Sequence, residues 1–505
     1  MKRNNFLFLI ITIILTAPVL YGIFHPGFFI SDDGNWMVIR FSAFFENLRN
    51  GQFPVRFLSR LNGGYGYPVA DFLYPLFMYL ATPLHILKFS FLDSIKIIFA
   101  LSFVLSSVFS FLWLRKLFGN LASLVGSLTY TLFPYHLWDM YKRGSVGEVL
   151  ALSIVPLILW AIEIENLALI GVGYALLILA HNSLALFFIP ILLIYQFLSG
   201  SKKSIKSLKG IELGLILSCF FWLPALYDKQ FTIFDSVKVS DYSSYFVKDF
   251  NLFGLITVVS VLGSLMFLRE KNRRFIFFFL ISLISIFFSL YLSKGVWQFL
   301  PFINLIQFPF RILSVLTLAV SFLISYQVEK IQYGFDKYLA FCAVVIIFIS
   351  ALPFVFPANY QDYPDSFYST NQDSTTVKNE YMPKWVKNLP QSFSSKVINL
   401  DGEENIIIIG NNPNKISLQG NFTSTRNLQV NTVYFPGWQV FVDGKMTKID
   451  YNSNGLIRFS VPSGNHQIRI EFGETTLRLT ADSVSAIGFI ILVLLLTKSF
   501  KKNIS

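Results

Sequence analysis

Cysteine is nearly absent from this chain. Cys219 and Cys342 are the only two in 505 residues. Both fall inside apolar runs, which leaves no disulfide framework and no thiolate metal site. Charge is scarce as well. Asp, Glu, Lys and Arg make up 14% of the chain against 54% hydrophobic residues, where a soluble domain carries about 25% charge. A soluble enzyme or binding module is therefore excluded. The formal net charge of +12 does not mark a nucleic-acid partner, because the cations stand in short gaps between apolar runs. Ionisable residues are missing from the middle of most of those runs, where a transporter keeps its sites, and no inverted repeat is visible. "NGGYGYP" (62–68) lacks the lysine and the strand–helix frame of a P-loop. It reads as a tight turn whose aromatic edges, Tyr65 among them, suit stacking on a sugar.

What the chain has is apolar runs, each near the ~20 residues that cross about 30 Å of hydrocarbon. Mean hydropathy is +0.57, and the 56 phenylalanines suit lipid-facing and interhelical packing. The fold class is a polytopic α-helical membrane protein. About twelve spans are expected, at 6–24, 95–114, 120–137, 147–162, 166–181, 183–199, 210–227, 251–268, 275–292, 310–328, 338–356 and 483–498. Basic clusters in short loops mark the cytoplasmic side. These are Lys2-Arg3, Arg115-Lys116, "SKKSIKSLKG" (201–210), "REKNRR" (269–274) and "KSFKKN" (498–503). They place both termini inside, with acidic Glu163 and Glu165 the one exception. No clear small-residue cleavage site follows the first run, so it is expected to stay as a span. Residues 71–89, interrupted by Asp71, Pro75, Pro83 and His85, are expected to form a helix lying on the outer face.

The last quarter changes character. "VINL", "NIIIIG", "ISLQG", "LQVNTVYF", "WQVFVDGK", "LIRFSV" and "HQIRIEF" are short β-type runs broken by Gly, Asn and Pro. Asp443-Gly444 suits a two-residue hairpin turn. A C-terminal extracytoplasmic β-sandwich is expected, with Trp438 in its core, behind an irregular polar linker at 358–392. The organisation is a multi-span domain at 1–356 with an outer loop at 25–94, an exported linker and β-domain at 357–482, and a last span with a basic tail at 483–505. Asn421-Phe422-Thr423 fits the glycosylation sequon by pattern only.

Two adjacent carboxylates, Asp32 and Asp33, stand where the first run ends, in "FFISDDGNWMVIRFSAFF" (28–45). Residues 35–50 read as an amphipathic helix with Met37, Phe41, Phe44, Phe45 and Leu48 on one face and Gly51 as its stop. One reading makes Ser31, Asp32 or Asp33 the helix N-cap. The other makes the pair a site. At the lip of a span the cost of burying charge in lipid is largely avoided. Two carboxylates there hold a divalent cation, Mg or Mn, or supply a general base. Both jobs suit chemistry on a phospholipid-linked substrate, and metal-dependent and metal-free schemes fit equally.

The acidic motif after the first span, the outer helix with "YPL" (74–76) and the span ending "RKLFG" (115–119) resemble the GT-C superfamily of membrane glycosyltransferases. A closer resemblance is to the bacterial YfhO-like membrane proteins and to the group named 6-pyruvoyl-tetrahydropterin synthase-related, a name that implies no pterin chemistry here. It is carried by "GQFPVRFLSRLNGGYGYPVADFLYPL" (51–76), "RGSVGEVLALSIVPL" (143–157), "LAHNSLALF" (179–187), "QFPFRIL" (307–313) and the tail motifs "YFPGWQVFVDGK" and "VPSGNHQIRIEF". One departure stands out: many relatives carry a histidine shortly after the first aspartate, where this chain has Trp36 and Met37.

The resemblance implies transfer of a sugar from a polyprenyl-phosphate-linked donor to a cell-envelope glycan or lipid acceptor on the outer face. In that scheme an aspartate activates the acceptor hydroxyl or holds a metal, and cations stabilise the phosphate leaving group. Arginine is the preferred phosphate fork. Arg56, Arg60, Arg143 and Arg311 lie outside on this topology, against the positive-inside trend, and are the candidates; the plain alternative is snorkelling to headgroups. Glu148 pairs with Arg143 or acts as a second acid. His181 binds phosphate, shuttles a proton, or is a polar loop contact. The competing functions are a lipid or glycan transporter and a non-catalytic scaffold that displays a glycan-binding β-domain.

Overall fold

The computed structural model describes residues 3–504 apart from 238–241, 300–305, 332–334, 358, 374–378, 388, 391 and 403–405. Lys2, the first residue of "NIIIIG" and parts of the 358–392 stretch lie outside the described residues. Six helices are long and apolar enough to cross a membrane: Asn4–Phe24, Phe91–Leu114, Val146–Glu163, Pro309–Lys330, Phe335–Val355 and Thr476–Lys498. Two bent pairs, Ile205–Leu217 with Cys219–Phe231 and Arg273–Ser289 with Tyr291–Trp297, make eight if each pair is one span. The remaining expected spans are helical but short. Asn120–Thr131 and Leu167–Ala180 rise roughly 18–21 Å at 1.5 Å per residue, less than the hydrocarbon thickness. The stretch 71–89 forms the helix Leu76–Ile86.

Val146–Glu163 and Pro309–Lys330 are the innermost helices, and Thr476–Lys498 is the most peripheral. Helix Phe91–Leu114 packs extensively on Val146–Glu163. Ser102, Ser106 and Ser110, all buried, each return a hydrogen bond to the carbonyl four residues back. Small side chains satisfied within their own helix let neighbours approach closely.

The helix Gly34–Arg49 is the expected amphipathic one, but its polar side is covered. Arg40, Ser42 and Asn47 are buried together with Met37, Phe41 and Phe44. The cover comes from the stretch expected to be an irregular linker. Tyr360–Gln361 pairs antiparallel with Phe28–Phe29. A short helix, Asp365–Thr370, then lies on helix 34–49. Its Tyr368 is fully buried, donates to Asn35 Oδ1 at 3.1 Å and accepts at its carbonyl from Ser42 Oγ at 2.6 Å. Of the tyrosines that made 358–392 look polar, Tyr360 and Tyr368 are hydrogen-bonded through their hydroxyls, and Tyr363 and Tyr381 stack on Phe367 and Phe72.

The β-type runs form two sheets. One is five-stranded, in the spatial order 406–412, 415–422, 464–472, 438–442, 445–447; the other is three-stranded, in the order 397–399, 426–433, 456–461. Strand Lys415–Phe422 alternates, burying Ile416, Leu418 and Phe422. Asp443 and Gly444 both take positive φ, +51° and +79°, as a primed hairpin turn requires. Trp438 is 4% exposed and sits in the sandwich core. Phe57 and Phe72, from the segment before the second long helix, enter that same core; the Phe57 and Trp438 rings meet edge to face at 5.5 Å. The sandwich is therefore not a tethered bead.

A buried ionic cluster completes the junction. Arg56 Nε donates to Glu474 at 2.9 Å, Nη1 to Asp71 at 3.1 Å and to the Phe220 carbonyl at 3.1 Å, and Nη2 to Asp482 at 2.9 Å. Arg478 binds Asp228 at 2.9 Å and the Pro436 carbonyl at 2.8 Å. Removing one partner of a buried pair costs about 3–5 kcal/mol. Arg56→Ala is therefore expected to lower the thermal unfolding midpoint of the detergent-solubilised protein sharply and to open the 387–481 region to protease. An unchanged midpoint would show that the junction does not depend on this arginine.

Candidate active site

The backbone brings the aspartate pair to the loop that precedes Val146–Glu163. The Asp32 N–H donates to the Lys142 carbonyl at 3.1 Å, and the Asp33 N–H to the Arg143 carbonyl at 2.8 Å. Gly144 permits this approach: its φ is +66°, and a Cβ there would lie 2.8 Å from the Gly34 nitrogen. Asp33 occupies the N-cap position of helix 34–49 but makes no side-chain cap bond. Its carboxylate instead accepts from Arg143 Nη2 at 3.2 Å. The N-cap reading gives way to an ion pair that joins two segments 110 residues apart.

Glu148, fully buried in the first turn of its helix, holds the centre. Arg143 Nη1 donates to it at 2.6 Å, Arg311 Nε at 2.8 Å and the Tyr135 hydroxyl at 3.0 Å. Two of these three donors are guanidinium groups, so the carboxylate holds Arg143 and Arg311 against one point. His181 Nδ1 accepts the Leu184 N–H at 3.3 Å, capping helix Asn182–Leu198. That bond puts the ring proton on Nε2, which points at Glu148 from 3.6 Å.

Arg311 also donates through Nη1 to Ser183 at 3.3 Å and to the Ile306 carbonyl at 3.0 Å. Its Nη2 has no partner among the described residues. Phe308 lies under both guanidiniums, 5.4 Å from that of Arg143 and 4.8 Å from that of Arg311. Gln307, at φ +62°, is a backbone position of the strained kind that clusters at working sites. Asp32, Asp33, Arg143, His181 and Arg311 line one cleft of about 520 Å³, and Glu148 stands directly behind it.

Asp32 is exposed at the lip, and no hydrogen bond to its carboxylate is assigned among the described residues. The protein packed around it nevertheless raises its carboxyl above the ordinary value of 3.8, desolvation outweighing the attraction of Lys142 and Arg143. Asp139, which sequence reasoning missed, is fully buried. Burial holds its carboxyl well above the usual range, further raised by Glu148 and opposed by Arg143. Its one signal in the sequence is its place four residues before Arg143 in "DMYKR". Arg40, Tyr74 and Tyr381 also line the cleft; Tyr74 opens the "YPL" motif, and the other two were not candidates.

Three sequence candidates do not line this cleft. Arg56 is held in the junction cluster described above. Arg60 uses all five N–H donors internally, on the carbonyls of Tyr368, Ser369 and Asn371 and on Glu46 and Ser42; no donor is left for a phosphate. Tyr65 is buried against Phe393 at 4.8 Å, and its carbonyl accepts from Val433.

No group of three or more His, Cys, Asp or Glu among the described residues is arranged to hold a metal. Two adjacent carboxylates still fit Mg²⁺, which is commonly held by one or two carboxylates, waters and a substrate phosphate. Asp32 is available for that role, whereas Asp33 is shared with Arg143.

Comparison with known proteins gives two family matches. Residues 71–360 match the family described as 6-pyruvoyl-tetrahydropterin synthase related domain, membrane protein. Residues 387–481 match the bacterial membrane protein YfhO family. An uncharacterized protein of Lactococcus lactis subsp. cremoris (strain MG1363) is 28% identical over 274 residues, 48% of this chain and 43% of the relative. The matched stretch thus spans less than half of that relative. Among solved structures, the arabinofuranosyltransferase AftD from Mycobacteria aligns over 73% of this chain and 28% of its own at 13% identity, with a TM-score of 0.49. The oligosaccharyltransferase of Archaeoglobus fulgidus, solved with a tethered acceptor peptide, aligns over 76% of this chain and 60% of its own at 13% identity, with a TM-score of 0.45.

Glu148→Met strands two buried guanidiniums and is expected to destabilise the protein by about 3–5 kcal/mol. Adding Arg311→Met should restore part of the loss, because paired removal leaves less uncompensated charge. A double-mutant cycle on thermal midpoints checks this; additive losses would mean that the two groups are not coupled.

Proposed function

The chain belongs to the family of 6-pyruvoyl-tetrahydropterin synthase-related membrane proteins, and we propose from the geometry of its cleft that it is an integral membrane glycosyltransferase. The donor is a sugar on a polyprenyl phosphate, and the acceptor is a cell-envelope glycan or lipid at the outer face. One observation carries the reading: the Asp32 carboxylate and the Arg311 Nη2, neither of which has a hydrogen-bond partner among the described residues, line the same cleft. The basic clusters in the short loops support the orientation, with both termini cytoplasmic and the β-sandwich outside.

Asp32 accepts the proton of the acceptor hydroxyl as that oxygen bonds to the anomeric carbon. The bond from that carbon to the lipid phosphate oxygen breaks, and its electron pair leaves with the phosphate. Arg311 donates to the departing phosphate, and Arg143, fixed by Glu148 and Asp33, adds a second positive charge to the same wall. Asp33 keeps Arg143 in register. Asp32 and Asp33 would hold a divalent cation if the reaction uses one, and its chemistry would be to neutralise the leaving phosphate.

Turnover of radiolabelled polyprenyl-phosphate hexoses with a cell-envelope acceptor, by the full-length protein in detergent, tests the reading. Asp32→Asn is expected to lower kcat by about 10²–10⁴, and Arg311→Met by about 10²–10³. A base must be ionised to accept a proton, and burial raises the Asp32 carboxyl. The rate should therefore rise with pH along an acidic limb centred above the ordinary aspartate value of 3.8, and that limb should vanish in Asp32→Asn. Equal turnover in wild type and Asp32→Asn would remove the general-base role.

A further inference from the structure

A second cleft, of about 280 Å³, lies in the seam between helix 34–49 with its following loop and the β-sandwich, and it shares no lining residue with the first. It absorbs features the proposed reaction does not use. Arg60, Gly64, Phe393, Lys396, Asn411 and Asn412 are among the residues that line it.

The seam is held rigidly from both sides. Asn414, at the tip of the hairpin joining strands 406–412 and 415–422, donates to the Asn47 and Asn50 carbonyls at 3.3 Å each and accepts from Gln52 at 3.0 Å. Ser59 Oγ donates to the Pro413 carbonyl. Lys396 ties the glycine-rich turn to the sandwich, donating at 2.8 Å to the carbonyls of both Gly64 and Asn431, and its burial lowers its ammonium to about 8. Gly64, at φ +82°, has no side chain to push Phe393 away; a Cβ would lie 3.2 Å from that ring.

Within this frame two groups stay unused. A bulge shifts the register of strand 406–412 between Ile408 and Gly410, and bulges re-aim the side chains beside them. Asn411 and Asn412 follow it directly. Both are exposed, and no side-chain hydrogen bond is assigned to either among the described residues. Asn411 pairs across the strands with Ile416 and Asn412 with Lys415, so the two amides leave opposite faces of the strand end that borders the cleft. Each offers donors and acceptors together, the requirement of sugar hydroxyls, each of which both donates and accepts. The charges point the same way. Arg60 has no donor left, and Glu46 already accepts from it at 3.0 Å. Lys396, which also lines the cleft, spends two of its three donors on carbonyls and lies over the Phe393 ring at 5.3 Å. Phe393 supplies an aromatic wall, and Trp438 lines the same cleft with an indole N–H that has no acceptor among the described residues.

We propose that this seam is a binding site for neutral carbohydrate, held by the amides of Asn411 and Asn412 against Phe393. Calling that carbohydrate part of the acceptor glycan rests on the transferase reading; the binding itself does not. The test is saturation-transfer NMR on the full-length protein in a detergent without a sugar headgroup. The probes are the methyl glycosides of glucose, galactose, mannose and N-acetylglucosamine.

Transfer to at least one probe is expected. Asn411→Ala/Asn412→Ala should weaken it about tenfold, and so should Asn411→Asp/Asn412→Asp, which keeps side-chain size and replaces the donors with charge. Asp32→Asn should leave it unchanged. No transfer to any probe, or equal transfer in both asparagine variants, would overturn the site. Loss in Asp32→Asn with retention in the asparagine variants would overturn it as well, by placing the sugar in the first cleft. No readout depends on turnover, so an inactive wild type would count against the transferase reading alone.

Discussion

A carboxylate buried between two guanidiniums fixes the geometry on which the cleft depends. Glu148 is out of contact with water, and burying an isolated ionised carboxylate is prohibitive unless it is paired and hydrogen-bonded. Arg143 and Arg311 meet that demand from two different segments, and Tyr135 adds a third donor. The segments carrying these groups therefore have only one arrangement relative to helix 146–163. The attraction works both ways. Each arginine is itself buried and needs the carboxylate, so the segment 139–144 and the first turn of helix 309–330 are held against the same point. The cleft is what remains between them once that demand is met.

The junction cluster around Arg56 obeys the same rule to a different end. There the arginine's donors go to Glu474, Asp71, Asp482 and a backbone carbonyl. The result is a strut that joins the segment after helix 34–49 to the start of the last long helix. At Arg311, by contrast, Nε and Nη1 are engaged while Nη2 is not. Whether an arginine is structural or available is thus decided by how many of its five donors are already taken. Position in the sequence and closeness to the membrane surface do not decide it. That difference separates Arg56 and Arg60 from Arg311, which the chain alone presents as equivalents.

The long apolar runs, the β-type runs and the Asp443-Gly444 turn were legible because their physics is local: hydropathy, alternation and backbone preference act within a few residues. Asp33, Arg143, Glu148 and Arg311 were legible as polar groups at the edges of apolar runs, where charge is costly enough to need a reason. What was not legible depends on pairing over distance. Arg56 meets Glu474 across 418 residues, and nothing near either residue announces the other. Residues 360–370 look like a linker by composition, yet Tyr368 becomes core because helix 34–49 offers Asn35 and Ser42 as partners. Asp139 hid because it lies within a polar-looking turn and becomes buried only when helix 146–163 packs over it.

The two adjacent aspartates illustrate how one-residue differences separate roles. Their backbones make matching bonds to Lys142 and Arg143, so both carboxylates start from the same short ladder. Asp33 then lies on the side of Arg143, and its charge is taken up by that guanidinium at 3.2 Å. That contact keeps the arginine in place. Asp32 points to the lip, receives no hydrogen bond among the described residues, and is desolvated enough for its carboxyl to rise. Asp32 therefore binds a proton more readily than an ordinary aspartate. On the transferase reading proposed above, Asp32, which lines the cleft together with Arg143 and Arg311, is the group that would take the proton of the acceptor hydroxyl.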